Sequence, residues 1–276
     1  MSPTSPGGGR PSPRSEEHHR RHDLTGQAED YLKAIYELER DDTPAGTNAL
    51  AERLGIAAAS VSGMLRRLAR LGLVKTERYH GSRLAEPGRA VALQLIRRHR
   101  IIESYLVSRL GFAWDDVHDE AERLEHAASP ELIERMATVL GNPTADPHGA
   151  PIPTAAGRVD ERRFASIAAL EPGVGARVAR MSDRDPELLR YLAGRGIRPG
   201  AHIRVEAKEP FDGPIVLTVG RERQTLAPRA AANVWVHPDQ AGVESRSGRA
   251  TGSRRNSELA RTRVRKIGPR RPAREQ

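Results

Sequence analysis

The ten residues from Val117 to His126 limit what this chain can fold into more than any other segment. At about 100° per residue, four apolar residues form one narrow stripe of a helix and four metal-binding residue types occupy the adjoining arc: Val117, Ala121, Leu124 and Ala128, then His118, Glu122, Glu125 and His126. Carboxylates mixed with imidazoles suit a divalent transition metal better than calcium. The segment therefore predicts an amphipathic helix that binds a metal; the alternative is a solvated acidic helix.

Composition excludes several classes of protein. With 276 residues, the chain can form two or three small domains. It has no cysteine, which excludes disulfides, zinc–thiolate sites and a thiol nucleophile. No run approaches about 18 consecutive apolar residues, and residues 1–22 lack an apolar segment, so we expect a cytoplasmic protein with neither signal peptide nor membrane anchor.

The net charge of +9 is unevenly distributed. Residues 238–276 carry +7 and residues 1–22 carry +2, and we expect both of these low-complexity tails to be disordered. Between the tails, residues 51–100 hold 11 basic and 3 acidic groups, whereas residues 101–150 hold 3 basic and 10 acidic groups. This polarity predicts a polyanion-binding surface beside a cation-binding surface.

Residues 23–92 have the pattern of a winged helix-turn-helix. Apolar residues at helical spacing and then short β-type runs predict these elements: a helix from Leu24, helices Thr47–Leu54 and Ala59–Leu71, and strands Leu73–Arg78 and Arg83–Ala85. Two helices joined by a short turn and followed by a basic hairpin are typical of this DNA-binding module.

In such a module the second helix of the motif enters the major groove. The predicted DNA-binding residues are Ala57, Ala59, Ser60, Ser62, Gly63, Arg66 and Arg67 on that helix, and Lys75, Arg78 and Arg83 on the hairpin. We expect the basic side chains to contact phosphates, and the small residues to read few bases directly. DNA shape and a second subunit would then add specificity. The alternative is a three-helix core with arginines on its solvated face.

The remaining chain divides into a helical and a β-rich part. Residues 93–157 are predicted to contain the rest of a long helix (Glu86–Leu110), the acidic helix (Trp114–Ala127), a helix from Ser129 to Leu140, and a Pro- and Gly-rich loop. Residues 164–237 contain short β-type segments and one brief helix, which predict a small β-barrel. The predicted fold class is mainly α with a small β-barrel.

Two other helices also offer metal ligands. His99 and Glu103 stand at i and i+4 on the long helix, and Asp30 lies beside the apolar stripe of the first helix. Each has a plain explanation as a surface charge or an ordinary ion pair. Three helices that each present oxygen or imidazole donors favour a shared metal site.

These residues resemble the diphtheria toxin repressor family of metal-dependent transcription regulators. The resemblance comprises the winged module, then Arg98, His99, Arg100 and Glu103, the run from His118 to His126, and the loop Gly141–Pro153. Residues 164–237 resemble the family's optional third domain, an SH3-like domain also known from a ferrous-iron transport protein. The resemblance runs in one collinear order from about residue 24 to residue 237.

The resemblance implies a homodimer that binds a palindromic operator when loaded with Fe(II) or Mn(II), usually to repress metal-uptake genes. The implied ligands are Asp30, His99, Glu103, Glu122, Glu125 and His126, with His118 at an ancillary site. Iron-responsive members typically carry Met where this chain has Asp30 and Cys where it has Glu122. Manganese-responsive members carry oxygen donors at both positions, which favours Mn(II) here because Mn(II) gains from carboxylates and the absence of sulfur.

Some alternatives stay open. Manganese-responsive relatives often have a further Glu where this chain has Lys33, so the number of ions is not fixed, and Asp183 or Asp185 of the third domain is a possible additional ligand. Within the family, an Fe(II)-dependent repressor is the alternative. A helical metalloenzyme would not need a basic winged module, and no nucleophile or oxyanion motif is visible. A metal-free DNA-binding adaptor would leave seven candidate ligands unexplained.

Overall fold

The computed structural model describes residues 24–40, 43–77, 81–160 and 162–239. Its elements, in chain order, are α1 (Gly26–Arg40), α2 (Thr47–Leu54), α3 (Ala58–Arg70), β1 (Val74–Glu77), β2 (Gly81–Leu84), α4 (Glu86–Leu110), α5 (His118–Glu125), α6 (Pro130–Val139), β3 (Ala165–Ser166), β4 (Gly175–Met181), α7 (Pro186–Ala193), β5 (His202–Lys208), β6 (Ile215–Val219), β7 (Glu222–Leu226), α8 (Pro228–Ala232) and β8 (Val234–Pro238). The disorder predicted for the two tails concerns residues outside this description, apart from Pro238 and Asp239. Among these helices, none combines the length and apolar character needed to cross a bilayer.

The N-terminal elements form the predicted winged helix. Tyr31, Leu32 and Ile35 of α1 are fully buried at the centre of its core, where the apolar stripe of the sequence places them. The turn between α2 and α3 contains Gly55 at φ +64°, a conformation that glycine adopts without steric cost. Strands β1 and β2 pair antiparallel to make the wing, with Val74 opposite Leu84.

The long helix α4 belongs to two cores at once. Its N-terminal half packs into the core of the winged module through residues such as Leu93 and Ile96. Its C-terminal half contributes Ile101 and Ile102 to a second core that it shares with α5 and α6. Any movement of the winged module relative to the helical domain therefore has to be accommodated around this helix.

Helix α5 is shorter than predicted. The sequence pattern indicates Trp114–Ala127, but the helix runs from His118 to Glu125. The indole of Trp114 instead packs against the core of the C-terminal domain, and its carbonyl oxygen lies 2.7 Å from Nε2 of His148. These contacts between distant parts of the chain hold the backbone before His118 in a turn.

The C-terminal domain contains a six-stranded sheet with the order β3-β8-β4-β5-β6-β7. All its neighbouring strands pair antiparallel, for example with Val178 opposite Val236 and Ile203 opposite Val219. The predicted barrel is not found: β3 and β7 are the two edges, and no ladder joins them among the described residues. Strand β3 has two residues and leads directly into a 3-10 turn, so it is too short to close the sheet.

The loop after α6 is fixed on this sheet. Gly149 has φ +84°, and a Cβ atom at this position would lie 2.1 Å from the carbonyl oxygen of Ala179 in β4. The amide of Met181 donates a hydrogen bond of 2.9 Å to the carbonyl of His148. Glycine thus permits a close backbone approach that connects the helical and sheet domains.

Candidate metal sites and DNA-binding surface

Three donors from α1 and the end of α5 form a cluster that we call site A: Asp30, Glu125 and His126. Each offers a ligand atom within 4.8 Å of the others. Nε2 of His126 lies 2.8 Å from Oδ1 of Asp30, and its Nδ1 lies 3.0 Å from Oε2 of Glu29. The Glu125 side chain is 1% exposed, whereas that of Asp30 is 41% exposed. Site A is therefore accessible from solvent but closed on its inner side.

A second cluster, site B, comprises His99, Glu103 and His118 together with Asp183 from the loop between β4 and α7. Nε2 of His99 lies 3.0 Å from Oε1 of Glu103 and 3.1 Å from Nδ1 of His118. Of the two acidic residues suggested from the third domain, the structure brings Asp183 into a cluster. Asp185 instead caps α7, where its side chain accepts a hydrogen bond of 3.0 Å from the amide of Leu188.

A third cluster, site C, is formed by Glu103, Asp146 and His148, all buried. Sequence reasoning did not identify Asp146 or His148, although two donors two residues apart in a loop of glycine and proline were a usable signal. Three buried side-chain atoms here, Glu103 Oε2, Asp146 Oδ2 and His148 Nδ1, have no hydrogen-bond partner among the described residues. Oδ2 of Asp146 lies 3.3 Å from Nε of Arg100, which balances its charge. Glu103 Oε2 and His148 Nδ1 lie 3.8 Å apart, and buried polar atoms without hydrogen bonds cost free energy. A divalent cation would satisfy these two atoms, so this donor set fits a metal.

Glu125 connects site A to site B. Its Oε1 lies 3.8 Å from Nε2 of His126 in site A, and its Oε2 lies 2.6 Å from Nδ1 of His99. The opposite nitrogen of that imidazole faces Glu103 in site B. A carboxylate on one ring nitrogen fixes the orientation of a histidine whose other nitrogen binds a metal.

Lys33 occupies the space between these groups. Its ammonium Nζ lies 3.1 Å from both carboxylate oxygens of Glu125 and 3.2 Å from Nδ1 of His99. It also lies 3.7 Å from Oε1 of Glu122, whose side chain is 53% exposed and lies 3.5 Å from Nε2 of His118. Glu122, predicted as a ligand, thus belongs to neither cluster, because its carboxylate faces Lys33 and His118 at the rim.

The charges of these groups determine their protonation states. Burial and the charge of Lys33 lower the pKa of His99, but the carboxylates of Glu103 and Glu125 outweigh them and raise it to about 10. Burial likewise raises the pKa of Glu125, but its hydrogen bond to His99 and the charge of Lys33 hold it below its ordinary value. Without metal at neutral pH, His99 is therefore protonated between ionised carboxylates.

The predicted DNA-binding residues lie on α3, at its start and on the wing. Most of them are exposed, whereas two are half-buried: Ala57, Ala59, Ser60, Gly63, Arg66, Lys75 and Arg83 are exposed, and Ser62 and Arg67 are half-buried. Arg78 lies outside the described residues. Val61, Leu65 and Leu68, on the opposite face of α3, are buried in the core. The helix therefore presents small and basic residues outward while its apolar face anchors it.

Three family models match the chain in the same order as its domains. "Iron dependent repressor, N-terminal DNA binding domain" matches residues 23–82. "Iron dependent repressor, metal binding and dimerisation domain" matches residues 85–154, and "FeoA domain" matches residues 166–238.

Similar proteins include iron-dependent and manganese-dependent repressors. The iron-dependent repressor IdeR of Mycobacterium tuberculosis is 33% identical over 229 residues, which cover 78% of this chain and 98% of the relative. A solved manganese-dependent transcriptional repressor in complex with manganese has 41% sequence identity and a TM-score of 0.72, covering 76% of this chain and 98% of that one. The manganese regulator SloR has 29% identity and a TM-score of 0.68, covering 78% and 100%. The chain therefore belongs to the iron-dependent repressor family, whose members are metal-dependent, DNA-binding transcription repressors and not enzymes.

Proposed function

We propose that this protein represses transcription when Mn(II) binds its metal sites. The observation that carries this proposal is the donor set, since sites A and B consist of carboxylates and imidazoles and the chain has no cysteine. Mn(II) binds most weakly in the Irving–Williams series, so a site selective for it gains from hard oxygen donors and the absence of sulfur. The alternative is Fe(II), which the name of the mycobacterial relative favours.

We infer that residues 23–92 bind DNA, that residues 93–157 hold metal and dimerise, and that residues 164–237 form an SH3-like domain. Large apolar side chains at the end of α4, just after it and on α6 support a dimer: Leu110, Phe112, Leu132 and Val139 are 41–60% exposed. A two-fold dimer presents two copies of α3 and would read a palindromic operator. Such a repressor would act in the cytoplasm, where it can reach its operator.

Each of sites A and B would bind an ion through residues of two different domains. At site A the ligands would be Asp30, Glu125 and His126, and at site B they would be His99, Glu103, His118 and Asp183. Glu122 would lie at the rim, beside Lys33 and His118. A bound dication would neutralise carboxylates that otherwise repel one another.

Asp30 belongs to the winged module and Glu125 to the helical domain, so site A spans the two. An ion that binds the DNA-competent arrangement more tightly increases the population of that arrangement. DNA must in turn tighten metal binding by the same factor.

The proposal is tested by titrating Mn(II) and, anaerobically, Fe(II) into the protein with a labelled duplex selected from a random DNA library. We expect Mn(II) to increase DNA affinity by at least about tenfold, a coupling of about 1.4 kcal/mol. Equal DNA affinity with and without either metal would contradict a metal-dependent repressor. Activation by Fe(II) but not by Mn(II) would establish the alternative.

Metal affinity should increase with pH. Because the pKa of His99 is about 10 without metal, a metal that binds this imidazole has to displace a proton at any lower pH. From about pH 6 to about pH 8 we expect Mn(II) affinity at site B to rise at least roughly tenfold per pH unit, because His118, the second proposed imidazole ligand, also has a raised pKa. Burial lowers the pKa of His118, but its hydrogen bond to Glu103 outweighs burial. Calorimetry in two buffers of different ionisation enthalpy should count at least one released proton. Binding that releases none would show that His99 is not a ligand.

A further inference from the structure

A loop of four residues, Ser182 to Asp185, leaves the C-terminal sheet towards the rest of the protein. The amide of Ser182 donates a hydrogen bond of 3.0 Å to the carbonyl of Asn233, which fixes the start of the loop to the sheet. Asp185 caps α7 and fixes its end. Asp183 and Arg184 are therefore held between two anchors, and neither can move far without the other.

These two middle residues contact different domains. Asp183 lies in site B with His99, Glu103 and His118. The guanidinium of Arg184 donates a hydrogen bond to Oε2 of Glu37 on α1, in the winged module.

Glu37 also contacts the helix-turn-helix. Nη1 of Arg53, on α2, donates a hydrogen bond of 2.9 Å to the same oxygen that Arg184 contacts. Burial raises the pKa of Glu37, but the charges of Arg184 and Lys33 outweigh burial and keep it below its ordinary value. One ionised carboxylate thus holds an arginine of the C-terminal domain and an arginine of the DNA-binding module.

Helix α1 is contacted near both metal sites along one face. Asp30, Lys33 and Glu37 follow one another at i, i+3 and i+7, so they share a face of the helix. Asp30 lies in site A, and Glu37 is held by Arg184 beside site B. Seven residues span about 10 Å along a helix, and two contacts at that separation constrain the tilt of α1, and of the winged module whose core it forms, relative to the metal sites.

We propose that Arg184 is a positioning residue that couples site B to the DNA-binding module. When Asp183 is held in site B, Arg184 holds Glu37 and, through Arg53, the first helix of the helix-turn-helix. This inference rests on the proposed function, because it requires metal in site B and DNA binding by α3. Site A would then fix the position of one end of α1 through Asp30. Site B would fix the position of the other end through Arg184 and Glu37.

The test compares Arg184→Ala, Arg184→Lys, Asp183→Asn and the double variant of Asp183→Asn with Arg184→Ala in the full chain. The matched control is Arg223→Ala, because Arg223 is exposed and pairs at 2.8 Å with Glu206, which lies on β5 of the same domain and not on α1. Three quantities are measured with Mn(II) as the probe: bound ions per subunit, hydrogen exchange of the α2 amides, and affinity for the selected duplex.

We expect Arg184→Ala to bind as many Mn(II) ions as the wild type, since Asp183 is retained. It should nevertheless lose the Mn(II)-induced protection of α2 and about tenfold of the Mn(II)-dependent DNA affinity. Asp183→Asn should lose an ion and the same DNA affinity, and the double variant should be no worse than Asp183→Asn, because both changes break one pathway. Arg184→Lys should recover part of the loss, and Arg223→Ala should behave as the wild type.

Several results would overturn the role of Arg184. They are wild-type DNA affinity in Arg184→Ala, an equal loss of affinity with and without Mn(II), additive losses in the double variant, or the same loss in Arg223→Ala. Failure of the proposed function looks different, because the wild type itself would then show no Mn(II)-dependent DNA affinity. The hydrogen-exchange comparison still tests the contact between Arg184 and the winged module in that case.

Discussion

Replacing Glu125 with Ala is expected to destabilise the metal-free protein by about 3–5 kcal/mol, the cost of removing one partner from a buried ion pair. The Glu125 carboxylate is 1% exposed and lies 3.1 Å from the ammonium of Lys33 and 2.6 Å from the imidazole of His99. With Glu125 removed, a buried ammonium and a buried imidazolium would face each other without their shared counter-charge.

Urea unfolding in the presence of a chelator measures this effect. Glu122→Ala is the matched control, because Glu122 also faces Lys33, at 3.7 Å, but its side chain is 53% exposed. We expect Glu122→Ala to cost within about 1 kcal/mol, as is usual for exposed pairs. Both variants should weaken metal-dependent DNA binding, because Glu125 is a proposed ligand and Glu122 lies 3.5 Å from the proposed ligand His118. If the two variants lost the same free energy of unfolding, burial of Glu125 would not be the reason why its contacts with Lys33 and His99 stabilise the protein.

Gly149→Ala is expected to have the second large effect, a loss of about 2–4 kcal/mol from backbone strain together with overpacking. Gly149 has φ +84°, and an added Cβ atom would lie 2.1 Å from the carbonyl oxygen of Ala179 and 3.1 Å from Cα of Arg180. Both contacts are to backbone atoms, which cannot turn away as a side chain would. The loop would have to leave β4 and carry Asp146 and His148 with it.

Gly157→Ala separates strain from crowding. Gly157 has φ +72°, but an added Cβ atom there has nothing within 4 Å. We expect it to lose about 1–2 kcal/mol, the strain of a left-handed residue by itself. Thermal unfolding gives the stabilities, and hydrogen exchange at the amide of Met181 reports whether the loop still accepts its hydrogen bond. Equal losses in the two variants would contradict the close approach at Gly149.

Local features of the structure were predictable from residue patterns. The predicted bounds of the helices Thr47–Leu54 and Glu86–Leu110 agree with the structure. Each has regular apolar spacing, and α4 also has a clear stop signal, since it ends at Gly111 with φ +75°. Six of the seven predicted donors lie in sites A and B, although their role as ligands stays a prediction.

Features that depend on distant contacts were not predictable. Helix α5 begins four residues later than the pattern indicates, because Trp114 packs against the C-terminal domain. Asp146 and His148 become part of a candidate metal site because their loop packs beside Glu103. The sheet stays open because β3 ends after two residues, which the alternation of apolar residues does not reveal.

The amino-acid sequence by itself determined which donors exist and which of them share a helical face. His99 and Glu103 are neighbours because four residues make about one turn of a helix, and that spacing is a local property of the backbone. Tertiary structure decided which donors meet across helices. Lys33 and Glu125 are 92 positions apart, yet their side chains meet at 3.1 Å inside the site, while Glu122 stays exposed at the rim. Such contacts depend on how whole helices pack against one another, and the spacing of residues within any one helix does not contain that information.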